Sequence, residues 1–215
     1  MPNDDEQASW TRIGIAAGFL ACFTYPLMVY VPLPRIAQLI VGASFGPALA
    51  VASIALAHIL QARRRAPSAE LAGICNSLAG ALVTAMIIVQ LAIHHSTAPA
   101  ADEQLTQLLR RRIWDVVLGL DVAFDVFIGL ATLLFALNMM RDPRFGRVIG
   151  WAGAFISVVL LLGSNFYFFP DPPRQHGFPE IGLFLGTWYL AVVLLVVRSV
   201  RKGRVGTRSA AHGEQ

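Results

Sequence analysis

Apolar residues run along the chain in six long stretches, at 13–33, 36–60, 71–93, 114–140, 148–169 and 181–198, separated by short polar or proline-containing segments. At ~1.5 Å of helical rise per residue, each comes close to or exceeds the roughly 30 Å hydrocarbon core of a bilayer. The pattern predicts an all-α polytopic membrane protein, a six-transmembrane-helix bundle occupying 13–198. A polar N-terminus, 1–12, should precede it, and a basic tail, 199–215, is expected to be disordered. The four-residue link PLPR makes the first two spans antiparallel neighbours, and in RDPRFGR the Asp-Pro pair stops the fourth span while Gly146 permits the reversal. Ahead of that span, Leu105, Leu108, Leu109 and Ile113 fall on one side of a helix, which predicts a short interfacial helix that turns into the fourth span. Glycines four apart at Gly14/Gly18, Gly42/Gly46 and Gly182/Gly186 predict close helix packing.

The fourth stretch, WDVVLGLDVAFDVFIGLATLLFALNMM, departs from the others by carrying Asp121 and Asp125 inside an apolar run. Counted from Trp114, they lie about 10 Å and about 16 Å along the helix. On a 3.6-residue period both project from one side, in line with Leu118, Gly129, Thr132 and Ala136. The opposite side reads Val116, Leu120, Ala123, Phe127, Leu130 and Leu134 and suits lipid. No lysine or arginine lies inside another apolar stretch. A charge at the centre of a membrane helix costs about 2.5 to 3.5 kcal/mol on insertion scales, so intramembrane acids face the bundle interior. Two of them one turn apart repel when both ionise, which favours a shared proton or a bound cation.

Composition strengthens the membrane reading. Of 215 residues 56% are hydrophobic and 14% charged, and the mean hydropathy is +0.61, whereas soluble domains are about 25% charged. The net charge of +4 does not point to nucleic acid, because the arginines cluster at the ends of apolar runs, where they set topology. With six spans, twelve Lys and Arg fall on the side of the termini and five on the other. Both termini are therefore expected in the cytoplasm, without a cleaved signal peptide.

Polar residues suggest where a site would lie. In this topology Tyr25, Gln90, Asn165, Thr187, Trp188 and Tyr189 belong to the outer halves of their spans, with Asp121, while Asp125 lies near the midplane. His58, Asn76 and Asn138 belong to the inner halves. The expected ligand- or ion-binding set is Asp121, Asp125, Thr132, Gln90, Asn165, Tyr25, Trp188 and Tyr189, under the four-proline loop FPDPPRQHGFPE acting as a stiff cap. No catalytic or metal residues are assigned. His58, His94, His95, His176 and His212 are scattered, Cys22 and Cys75 lack metal-ligand spacing, and Gly119-Leu120-Asp121 lacks the second glycine of an aspartyl-protease GxGD motif. No hydrolase elbow, phosphate loop or dinucleotide fingerprint occurs.

The block GLDVAFDVFIGLATLLFALNMMRDPRFGR, followed by FPDPP and GTWYLAV, resembles a family of six-helix bacterial membrane proteins grouped as a domain of unknown function. The resemblance rests on Asp121, Asp125, Pro143, Phe145, Gly146, Pro170 and Trp188. It implies a bacterial inner-membrane protein and supplies no activity. The expected function is small-molecule or ion binding, of a transport type, centred on the acid pair. The alternatives are a structural or regulatory membrane component with a packing-only polar network, and a lipid-modifying enzyme. The expected partners are the lipid bilayer and a small-molecule or cation ligand, with homo-oligomerisation left open; no nucleic acid is expected and no cofactor is assigned.

Overall fold

The computed structural model describes residues 4–62, 66–95, 103–167 and 182–211. These form six helices: α1 (Asp4–Tyr30), α2 (Arg35–Gln61), α3 (Pro67–His95), α4 (Glu103–Met139), α5 (Gly146–Tyr167) and α6 (Gly182–Ala211), with no strand among the described residues. Five of them are long and apolar enough to cross a membrane, and α5 contributes a shorter apolar helix, Gly146–Leu162. Each helix packs on the next in the chain, α6 returns to α1, and α2 also touches α4. The result is a ring of helices closed between its first and last members.

Three element boundaries differ from the sequence pattern. The helix α1 begins at Asp4, well before the apolar run. Acidic residues suit the positive end of a helix, and Ser9 and Thr11 hydroxyls donate to the carbonyls of Asp5 and Gln7 one turn back. No separate interfacial helix precedes the fourth span, because Glu103–Met139 is a single helix of 37 residues. The residues joining the two parts, Arg110 to Asp115, include neither glycine nor proline, so nothing interrupts propagation. The amphipathic side remains, with Leu105, Leu108 and Leu109 exposed. At the other end α6 continues to Ala211 where a disordered tail was expected after Arg198, since the segment contains glycines but no proline.

Glycine sets the closest helix approach. A Cβ placed on Gly46 would collide with the Gly80 carbonyl and the Thr84 hydroxyl, and one on Gly80 would lie 2.5 Å from the Gly46 carbonyl. The backbones of α2 and α3 therefore touch at this crossing. Gly14 and Gly18 are similarly closed, by Ala55 and Val193. The Gly182/Gly186 pair does not follow suit, because Gly186 faces open space.

The α4–α5 turn ends as its sequence predicts. Gly146 adopts φ +80°, a left-handed conformation that costs glycine nothing. The Arg144 backbone N–H donates to Asp142 Oδ1 at 2.9 Å, and its guanidinium forks onto the same carboxylate while donating at 2.8 Å to the Ile59 carbonyl. A carbonyl in the last turn of α2, which lacks an intrahelical donor, is thereby satisfied from the neighbouring loop.

Three apolar clusters fill the bundle among the described residues. One gathers around Leu56, Phe135, Met139, Phe145 and Trp188. A second takes buried residues from every helix in turn: Ala21, Ala48, Leu49, Ala79, Ile128, Leu160 and Leu185. The third is Val83, Ile87 and Leu91 of α3.

Candidate functional site

The side of α4 that carries the acids turns inward as it descends. Trp114 is exposed, Asp121 and Asp125 are partly buried, and Gly129, Thr132 and Ala136 are buried. The opposite side is less uniformly lipid-like than its sequence suggests. Val116 and Leu130 are exposed, but Phe127 and Leu134 pack partly against the core.

Below the acids lies a hydrogen-bonded layer that links four helices. The Thr132 and Tyr189 hydroxyls are 2.9 Å apart. The Asn76 amide donates to the Tyr189 hydroxyl at 3.0 Å and to Ser53 Oγ at 2.6 Å. Ser53 in turn donates to the Leu49 carbonyl at 2.6 Å. Asn76, Thr132 and Ser53 are almost wholly buried, so these bonds replace water that the site excludes. The Asn76 Oδ1 atom is buried and accepts no hydrogen bond.

The same bonds set the relative depth of α2, α3, α4 and α6. Thr132 precedes the end of α4 at Met139 by seven residues, Ser53 precedes Gln61 by eight, and Asn76 follows Pro67 by nine. The layer is therefore about 10 to 14 Å from the shared end of these helices. A second link confirms this register, with Ser68 and Asn138 exchanging hydrogen bonds between α3 and α4. Tyr189 was expected in the outer half of its span, apart from Asn76, yet the two side chains occupy one level. Gly182, seven residues before Tyr189 on α6, lies beside the Tyr25 hydroxyl.

Thr132 and Tyr189 join the buried layer. Trp188 is fixed to α5, with its indole N–H donating to the Ile149 carbonyl at 2.8 Å and its ring against Gly153. Tyr25 tilts against Phe45 at 5.7 Å between ring centroids, and Gln90 is partly buried on α3. The Asn165 side chain and the proline-rich loop lie outside the described residues. Asp125 is about 10 Å above Thr132 along α4, and Asp121 about 16 Å.

Ser53 is the network member that the sequence reading passed over. It sits in an uninterrupted apolar run, where a lone serine resembles packing. A usable signal existed nonetheless: Ser53 and Asn76 lie 11 and 12 residues from the centre of the link between α2 and α3, and an antiparallel hairpin sets such positions nearly level. His58 is exposed, its ring stacked on Trp10 at 4.3 Å and its Nδ1 placed 2.9 Å from the Ile54 carbonyl. An apolar cavity of about 40 Å³ lies between α1, α2 and α6, lined by Gly14, Gly18, Cys22, Ser53, Tyr189 and Val193 among others. No group of three potential metal ligands occurs among the described residues.

Compared with protein-family profiles, curated proteins and solved structures, the chain matches none of them.

Proposed function

We propose that the chain is a six-span bacterial inner-membrane protein, with both termini cytoplasmic, that binds a small molecule or cation at the acidic side of α4. The observation that carries this reading is the position of Asp121 and Asp125, one turn apart and partly buried on the inward side of a helix long enough to span. Ionisable side chains at membrane depth are costly and mark ligand or ion paths. Two ionised carboxylates one turn apart repel, and a shared proton or a bound cation relieves that repulsion. In this topology the acids open towards the non-cytoplasmic side, and a transport-type role follows if the guest is passed inward.

The deciding experiment follows the melting temperature of the detergent-purified protein across a series of pH values, monovalent and divalent cations, and a small-molecule panel. A ligand at one hundred times its Kd stabilises the folded state by about 2.7 kcal/mol. Wild type should gain thermal stability from at least one member of the series. The Asp121→Asn/Asp125→Asn double variant should remain folded and not respond. A wild type that responds to nothing rejects the proposal.

A second reading, a structural membrane component, draws support from the Ser53–Asn76–Tyr189–Thr132 network, which uses its polar groups to fasten helices to one another. It predicts that loss of the acids lowers stability in step with any function.

A further inference from the structure

The polar positions on the inward side of α4 form two levels with an apolar interval between them. Above are Asp121 and Asp125; below is Thr132, bonded to Tyr189 and through it to Asn76 and Ser53. Between Asp125 and Thr132 the helix rises about 10 Å. Ile128 lies within that interval and is 3% exposed. Around it the remaining helices each contribute an apolar side chain: Ala21 from α1, Ala48 and Leu49 from α2, Ala79 from α3, Leu160 from α5 and Leu185 from α6. None of these residues is more than 6% exposed. Phe45, Phe124 and Phe127, partly buried, pack against the cluster. This cluster draws at least one buried apolar side chain from each of the six helices.

We infer that this layer is the permeability barrier of the protein, a hydrophobic seal that separates the outward acidic level from the inward hydroxyl–amide–phenol level and blocks protons and small cations. An apolar constriction stops ions because water does not wet it and an ion cannot shed its hydration there. The polar groups on either side are then two ends of one column closed at Ile128. Leu185 and Tyr189 tie the seal to the network below, since Tyr189 both packs against the apolar cluster and bonds to Thr132. The cavity of about 40 Å³ beside Tyr189 and Val193 provides free volume next to this part of α6. The inference rests on the membrane placement proposed above and not on the identity or existence of a ligand.

The test uses the full chain reconstituted in liposomes loaded with a pH-sensitive dye. A potassium diffusion potential, set with valinomycin, drives proton entry. Wild-type vesicles should be as tight as protein-free ones. Ile128→Asn and Leu185→Asn, which put an amide into the seal, should raise proton flux severalfold, whereas Ile128→Val should not. Where an asparagine prevents assembly, Leu160→Ala and Leu185→Ala thin the same layer and should raise the flux in the same direction. A wild type that leaks as fast as the variants overturns the inference. So do folded variants, judged by wild-type elution and melting, that stay tight. A tight wild type lacking any ligand response would sink the binding proposal and leave the seal standing, so the two failures are distinguishable.

Discussion

Asn76 and Tyr189, 113 positions apart in the chain, meet at 3.0 Å and hold α3 to α6. That single bond connects helices that do not otherwise neighbour each other around the ring. Interhelical hydrogen bonds in membrane proteins contribute about 0.6 kcal/mol on average and up to about 1.7. Tyr189→Phe removes two partners at once, the Asn76 amide and the Thr132 hydroxyl, and should destabilise by about 1 to 3 kcal/mol. Asn76→Leu should cost less than Asn76→Ala, because leucine restores volume and either change also removes the buried Oδ1 that accepts no bond. Melting curves of the three variants in one detergent check the order.

Glycine substitutions should separate sharply by position. At Gly46 an alanine methyl meets the Gly80 carbonyl, which belongs to backbone and cannot swing aside. The α2–α3 crossing must widen, at a cost of about 1 to 3 kcal/mol for overpacking. At Gly186 the same change enters open space. There alanine should be neutral or stabilising by up to about 1 kcal/mol, since it is the better helix former. Equal effects at the two positions would contradict the packing described.

Arg144 anchors the α4–α5 turn to α2. Its guanidinium spans the largely buried Asp142 carboxylate and the Ile59 carbonyl. Arg144→Met retains much of the stem but removes the charge beside a buried acid, and should destabilise by about 3 kcal/mol. Arg144→Lys should recover only part of this loss, because an ammonium cannot reproduce the fork. Thermal melting of both variants, together with protease susceptibility near the turn, measures the effect.

Much of the architecture was legible because its causes are local. Runs of apolar residues longer than a bilayer is thick, the PLPR link and Gly146 after Asp-Pro each carry their reason in neighbouring positions. The extent of α4 was not, since the amphipathic side of Leu105 to Ile113 fits a lone interfacial helix and a continuation of the span equally well. Depth misled in another way. Tyr189 is near the start of an apolar stretch, but the level at which α6 enters is fixed by Asn76 and Thr132 on other helices, and no periodicity within α6 encodes that. Ile128 and Leu185 were likewise invisible as a layer, because an apolar residue in an apolar span acquires meaning only from the five helices opposite it. The acids stood out for the opposite reason, being chemically discordant with everything around them.

Asp121 and Asp125 should not contribute equally to binding. Asp125 lies about 6 Å deeper along α4, directly above the apolar layer, while Asp121 is nearer the exposed Trp114. Electrostatic attraction grows as effective dielectric falls, so a cation or protonated guest should be held more tightly by the deeper group. Asp125→Asn is therefore expected to remove the ligand-dependent thermal shift, and Asp121→Asn to weaken it by roughly tenfold in apparent affinity, equivalent to about 1.4 kcal/mol. Asp125→Glu keeps the charge one methylene farther out and should restore part of the response. Titrations of melting temperature against the responding ligand measure all three variants on one scale. Because the two acids interact, the double variant should lose less than the two single losses combined. Strict additivity would mean that the carboxylates act independently and that no guest is shared between them.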